Sequence, residues 1–228
     1  AETDPYQFAH RLLGRVTRLG GRVHARTALA SFQSVRGGVR VETEDGATIR
    51  CKQLVFAAGY ESQAWLDQRV ASNRSSYAFV SEPMPGELGV LKDTLVWESS
   101  RPYLYVRRTA DERVLVGGED DKLDIPLRRD ARVAKKSAKL ARRVQELFPE
   151  LPLRVAFAWA GTFAETDDGL PFFGPHEEHG PRVHFAMAYG GNGITYSLIG
   201  AELLRDTLLG KQHPCGALFS FDRLKRSP

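Results

Sequence analysis

Residues 182–195 read Arg182-Val183-His184-Phe185-Ala186-Met187-Ala188-Tyr189-Gly190-Gly191-Asn192-Gly193-Ile194-Thr195. The apolar run over 183–188 predicts a strand, and after it Ile194, Leu198, Ala201, Leu204 and Leu208 recur at helical spacing. A strand therefore passes through three glycines directly into a helix. Glycine permits positive φ and admits a ligand where a Cβ would stand. A helix start adds unpaired N–H groups and the positive end of its dipole. Such a corner suits an electron-rich or anionic group. The same residues also serve plain strand-to-helix packing, so the corner alone leaves both readings open.

Just upstream lies Trp159-Ala160-Gly161-Thr162-Phe163, then Thr166-Asp167-Asp168-Gly169-Leu170-Pro171-Phe172-Phe173-Gly174. The succession W-x-G, T-x-D-G-x-P-x-x-G and G-G-N-G-I resembles the C-terminal signature of the FAD-dependent oxidoreductase family that includes D-amino-acid oxidase, glycine oxidase and sarcosine oxidase. The resemblance implies that Tyr189, Gly190, Gly191, Asn192, Gly193, Ile194 and Thr195 lie against the pyrimidine end of a flavin ring. The pair W-x-G…D-G-x-P-x-x-G and G-G-N-G-I is the specific part of the match.

Length and composition set the bounds. The chain has 228 residues, 42% hydrophobic and 26% charged, which fits one large or two small globular domains. A net charge of +4 spread along the whole length does not indicate nucleic acid. Cys51 and Cys215 stand alone, so neither a CxxC pair nor a thiolate metal site is available locally, and a reduced, cytoplasmic setting is the expectation. No run approaches the ~20 apolar residues of a membrane helix. G-x-G-x-x-G after a strand, the pyrophosphate cradle of dinucleotide-binding sheets, is absent. With the resemblance, this reads as the C-terminal part of a longer protein whose missing N-terminal FAD-binding segment is a partner of the chain.

Along the chain, Asp4-Pro5 is a helix entry, and Phe8, Leu12, Val16 and Leu19 line one face before Gly20-Gly21. Strands are expected over 22–32, 38–43, 48–51 and 53–59, the last ending in Ala57-Ala58-Gly59. By resemblance that small-residue end passes close to the cofactor, and residues 27–29, with Leu29, flank the adenine. A tightly packed strand end is the alternative for Ala57, Ala58 and Gly59.

The stretch 65–76 dissolves into polar residues and reads as a crossing between domains. Strand candidates follow at 77–81, 94–97, 103–107 and 114–117. In the third, Tyr103, Tyr105 and Arg107 share one face, which suits either a substrate wall or a surface aromatic ladder. Residues 128–148 predict one long helix with Val133, Leu140, Val144 and Leu147 inward and a basic, solvated exterior. A strand over 153–161 and an irregular tail over 211–228 complete the expectation.

Chemistry-bearing sets are sparse. His176-Glu177-Glu178-His179 lies between Pro175 and Gly180-Pro181, where a solvated turn rather than a metal-binding helix is expected, and no metal is assigned. Flavin amine oxidation asks little of side chains, since the ring carries the hydride chemistry and a helix N-terminus stabilises its negative charge. The expected fold is therefore α+β in two lobes. One is the remnant of a flavin-binding α/β lobe (1–68 and 159–228), the other an antiparallel substrate lobe (69–158). The function implied is FAD-dependent oxidation of a C–N bond in an amine or amino acid, by the parent protein rather than by this chain alone. A dehydrogenase passing electrons to a partner and a non-catalytic binding module remain alternatives. The family's substrate-gripping arginine, which follows W-x-G-x, is replaced by Phe163. That departure points to a larger or less acidic amine, with Tyr103, Tyr105 or Arg107 as replacement contacts.

Overall fold

The structure is a computed structural model that describes residues 3–86, 88–99 and 102–226. It resolves into two compact units, one made of the chain up to Asp67 and from Pro171 onward, the other of Gln68–Leu170.

The first unit opens with α1 (Pro5–Arg18), where Asp4 Oδ1 accepts from the Gln7 N–H at 3.0 Å and Pro5 occupies the first turn. The apolar face read from the sequence is present yet uncovered: Phe8, Leu12, Val16 and Leu19 are 43 to 75% exposed. Next come β1 (Leu29–Val35), β2 (Gly38–Thr43) and β3 (Thr48–Cys51), a meander turning at Gly37 and Gly46, both with φ above +80°. The strand expected from residue 22 begins only at Leu29. Its partner β2 runs out at Thr43, which pairs with Leu29, and beyond it the Glu44 N–H still donates to the Ala28 carbonyl at 2.9 Å before the chain turns away at Asp45-Gly46. β4 (Leu54–Phe56) and a 3-10 helix (Gly59–Trp65) end this leg.

The second unit is a five-stranded antiparallel sheet of β5 (Ser72–Ser81), β6 (Val96–Trp97), β7 (Leu104–Arg108), β8 (Val114–Asp121) and β9 (Val155–Glu165), in the order β6-β7-β8-β5-β9. Its helices are α2 (Pro126–Asp130) and α3 (Val133–Leu147). One sheet face packs on α3: Tyr77, Phe79, Leu104, Val106, Val114 and Val116 are at most 1% exposed and cluster with Leu140 and Val144. β9 shows why it lies where it does. Ala156, Ala158, Ala160, Thr162 and Ala164 are small and alternate with Val155, Phe157, Trp159 and Phe163, so the small set faces the helices and the large set the other side.

Two expectations need correction here. The helix over 128–148 is two helices, broken at Ala131 and Arg132, because Arg129 is anchored to Thr162 Oγ1 on β9 at 2.8 Å while α3 follows the sheet core. Its basic face is not merely solvated. Lys139 and Arg143 bond the buried Glu119 at 2.7 and 2.9 Å, Arg143 also meets Glu98, and Arg132 bonds Asp121 at 2.9 Å.

β10 (Phe172–Pro175) and β11 (Val183–Met187) return to the first unit and join β4 in the order β10-β11-β4. β10 is antiparallel to β11, whereas β4 is parallel to it. α4 (Gly193–Leu208) follows, then α5 (Gly216–Phe219) and a 3-10 turn (Phe221–Arg226). The expected irregular tail thus holds a short helix and a 3-10 turn, because Phe219 and Phe221 are buried, the first edge-on to Phe173 and the second stacked on Phe172. The unit's aromatic core links Phe56 to Phe32, Trp65 and Phe185 at 5.0–5.3 Å. The boundary read before Trp159 falls after Leu170, since Trp159 lies inside the continuous β5–β9 pairing.

Candidate functional site

β4 and β11 run side by side in the same direction, with Phe56 level with Phe185. Their carboxyl ends therefore emerge together, one continuing as Ala57-Ala58-Gly59 and the other as Ala188-Tyr189-Gly190-Gly191-Asn192-Gly193. The carboxyl edge of neighbouring parallel strands is where open α/β sheets place ligands. Ala57 and Ala58 are exposed there, and Gly59 takes φ +58° with open space where a Cβ would stand.

At the glycine corner the positive φ values belong to Ala188 (+62°) and Gly190 (+56°), not to Gly191 or Gly193. A left-handed alanine is costly, so the chain is held there by its surroundings: Ala188 is 2% exposed. A Cβ on Gly190 or Gly193 meets no protein atom within 4 Å. The first bond of α4 runs from the Tyr196 N–H to the Asn192 carbonyl at 3.0 Å, so the N–H groups of Gly193, Ile194 and Thr195 precede the helix ladder. The Asn192 side chain makes no capping bond to them. Ile194 is 52% exposed beside them, and Thr195 is also exposed. The Tyr189 hydroxyl is pushed up from its ordinary pKa by burial. The corner thus combines open space, N–H groups with no partner among the described residues and an apolar rim, a fit for one edge of a flat, electron-rich ring.

α4 buries only Leu204 of the face its leucine spacing suggests. Leu198 is 66% exposed, Leu208 is 40% exposed and Ala201 is exposed, while Gly200, Leu203 and Leu204 are buried. Gly200 sets this orientation: the Phe173 ring of β10 fills the place of its Cβ, and the helix comes closer to the sheet there than any larger residue allows.

In the second unit, the sheet face away from α3 is aromatic. One cross-strand row reads Trp97, Tyr105, Gly117, Ala78, Trp159. The Tyr105 ring lies across Gly117 and stacks at 6.4 Å on Tyr103, and Arg107 follows on the same face of β7. Burial raises the pKa of the Tyr105 hydroxyl, the Asp120 carboxylate raises it further, and Arg107 opposes them. Phe163 shares this face but sits on β9, three strands from β7, roughly 14 Å away at ordinary strand spacing. It is not brought against the tyrosines; its direct neighbour is Arg74, whose guanidinium pairs with Glu165. Those two charges line a polar cleft of about 740 Å³ with Arg69, Lys122, Asp167 and Asp168.

Other sequence candidates have structural duties. Leu29 lies in the β1–β2–β3 sheet, paired with Thr43. In the D-G-x-P element, Asp168 Oδ1 accepts from Thr166 Oγ1 at 2.9 Å and from the Leu170 N–H at 3.0 Å, forming a tight turn at Gly169. The His176–His179 segment is a turn in which Glu177 and Glu178 are exposed while the two histidines pack inward. His176 is 3% exposed, its ring edge-on to Phe221, and His179 Nε2 donates to the Trp65 carbonyl at 2.6 Å. Among the described residues no group of three His, Cys, Asp or Glu side chains is placed to hold a metal, and no helix is long and apolar enough to cross a membrane. Sequence reading missed Asp120, Gly117 and Arg74. Only the register across β7, β8 and β5 reveals their positions.

The chain is 28% identical over 196 residues to glycine oxidase of Bacillus licheniformis, covering 84% of this chain and 50% of that protein. Among solved structures it resembles glycine oxidase from Geobacillus kaustophilus (TM-score 0.78, 22% identity, 94% of this chain and 57% of that one). It also resembles L-proline dehydrogenase from P. horikoshii (TM-score 0.77, 17% identity, 98% and 60%). At these identities the structural likeness concerns the fold. The chain spans about half the length of the curated relative it matches. Residues 1–207 match the family described as FAD dependent oxidoreductase, and with the parallel strand ends, the glycine corner and the shared fold in place, the chain belongs to that family.

Proposed function

We propose that this chain is part of an FAD-dependent oxidoreductase that oxidises the C–N bond of an amine or amino acid to an imine. The observation that carries the reading is the corner at Tyr189–Thr195, opening beside Ala57–Gly59 at the carboxyl ends of β4 and β11. Bound there, the flavin supplies the hydride acceptor. The N–H groups of Gly193, Ile194 and Thr195 would hold its electron-rich edge, and Gly190 and Gly193 would leave room for its approach. Leu29 is assigned to the adenine side. The substrate nitrogen contributes its lone pair to the new C=N bond as the adjacent carbon gives up hydride, and water then hydrolyses the imine.

The antiparallel unit is assigned the substrate, with Tyr103, Tyr105 and Arg107 as a wall and Phe163 as an apolar contact. The pyrophosphate cradle is assigned to a segment outside this chain. In support, β4 has an open edge in its sheet and α1 presents an uncovered apolar face. The experiment is to purify the full-length protein, record its visible spectrum and mix it anaerobically with a panel of amines and amino acids. Bleaching of the flavin bands by at least one amine is expected. A flavin that no amine reduces would sink the assignment. Oxygen consumption during turnover then distinguishes an oxidase from a dehydrogenase serving another acceptor.

A further inference from the structure

α3 carries cations on two sides, and only one side is used inside the fold. Lys136 and Arg143, whose side chains are 19 and 22% exposed, reach inward to Glu119. On the outer side Arg132, Lys135, Lys139 and Arg142 follow one another at spacings of three and four, so they stand in one row along the helix. Arg132 and Lys139 each send a bond inward, to Asp121 and Glu119, yet keep half of their side chains exposed. Lys135 and Arg142, with Arg128 on α2, are exposed and have no hydrogen-bond or ion-pair partner among the described residues.

A helix face that only meets water interleaves acids with bases at i, i+4. This one does not: from Ala131 to Gln145 there is no Asp or Glu. The like charges repel along the row, and nothing on the outer face offsets it. Between the cations lie Ala131, Ala134 and Ala138, all exposed, so no bulky side chain stands between the long cationic arms. Beside Arg128, Leu127 is 84% and Ile125 48% exposed. Cations over small residues, with two bare apolar side chains at one end, fit a flat anionic surface that has an apolar layer beneath it. An acidic protein or a nucleic acid would meet the cations but would leave Leu127 and Ile125 in water.

We propose that the outer face of α2 and α3 docks on an anionic phospholipid surface, its cations among the headgroups and Leu127 with Ile125 at the acyl boundary. The contact is peripheral and does not depend on the amine-oxidising reading. A cation near such a surface strengthens binding about fivefold, so Arg128, Lys135 and Arg142 together contribute about a hundredfold.

The test is sedimentation of the full-length flavoprotein with vesicles of phosphatidylcholine, alone or with about one third phosphatidylglycerol. Binding is expected to the anionic vesicles only, and to weaken steeply between about 0.1 and about 0.5 M salt. The triple variant Arg128→Gln, Lys135→Gln, Arg142→Gln should bind about a hundredfold more weakly, with melting temperature and flavin content as in wild type, because none of the three has a partner to lose. Leu127→Ser should weaken vesicle binding about tenfold and leave binding to heparin, a soluble polyanion, unchanged. No sedimentation with anionic vesicles at low salt overturns the proposal, as does binding that survives the triple variant. Vesicle binding indifferent to Leu127→Ser, alongside equal binding to heparin, would assign the face to a soluble polyanion and overturn it too.

Discussion

The Tyr105 ring occupies the space a Cβ on Gly117 would need, across the strand pair β7–β8. Gly117 is therefore a seat for Tyr105 rather than a flexible point, since its φ is not in the left-handed region. Gly117→Ala is expected to destabilise the chain by about 1–3 kcal/mol through overpacking. Tyr105→Ala in the same molecule should recover most of that loss, because it removes the clash. Denaturant melts of both single variants and the double variant measure the coupling; simple additivity would mean the ring does not sit on Gly117.

Glu119 is 3% exposed at its side chain and bonds Lys139 and Arg143, while Lys136 Nζ bonds its carbonyl. Burial alone would raise its pKa, but the hydrogen bonds and charges of Lys139, Arg143 and Lys136 outweigh this and leave it below the ordinary glutamate value. A depressed folded-state pKa gives stability that is present above the unfolded value and lost as pH falls through the folded one. Stability should therefore drop on acidification below about pH 4.5, and Glu119→Gln should flatten that part of the profile. At neutral pH the same variant should cost on the order of 2–3 kcal/mol. Urea melts from pH 3 to 7 on both proteins decide it; parallel profiles would remove Glu119 from the cause.

The two glycines of α4 should part company. A Cβ on Gly193 meets no protein atom, whereas one on Gly200 runs into the Phe173 ring. Gly193→Val in the full-length protein is expected to lose flavin while keeping its melting temperature within a few degrees. Gly200→Val should lose about 3 kcal/mol or more of stability first. Flavin absorbance per protein and thermal melts on the two variants suffice. A Gly193 variant with full flavin content and normal turnover would leave the corner as packing alone.

Legibility divides along a physical line. Local signals were readable: the Asp4 cap and the strand-to-helix corner at 188–193 follow from residue type and spacing. Position across the sheet was not. Nothing in the composition of 54–56 says that β4 lies parallel to β11, yet this pairing puts Ala57–Gly59 beside the glycine corner. The exposed face of α4 was misread because leucine spacing measures amphipathicity, whereas Gly200 and its fit to Phe173 decide which side approaches the sheet. Similarly, Glu119, Asp120 and Asp121 look like one acidic run until the bulge at Gly118 and Glu119 divides them between two faces.

The chain by itself should hold FAD weakly. The corner and the ends of β4 and β11 offer contacts to one edge of the ring, but no strand here carries the glycine-rich turn that binds pyrophosphate. Titration followed by flavin fluorescence is expected to show no saturation at micromolar protein, and tight stoichiometric binding would contradict this.

Phe163 bears on what the full-length protein accepts. By the family resemblance Phe163 would take the place of an arginine that grips a substrate carboxylate, and Arg74 lies directly opposite it on β5. Arg74 does not simply take over, because its guanidinium is already paired with Glu165 on the same face. If the resemblance holds at this position, glycine and sarcosine are expected to be poor substrates. Phe163→Arg should raise kcat/KM for glycine by about ten- to a hundredfold. That is less than the full worth of a buried charge pair, since Glu165 would compete for the new guanidinium. The same variant should lose turnover of larger amines that pack on the phenyl ring. Steady-state kinetics on a panel from glycine to long-chain amines separates the outcomes. Efficient turnover of glycine by wild type, indifferent to changes at Tyr103, Tyr105 and Arg107, would show that the substrate is held elsewhere.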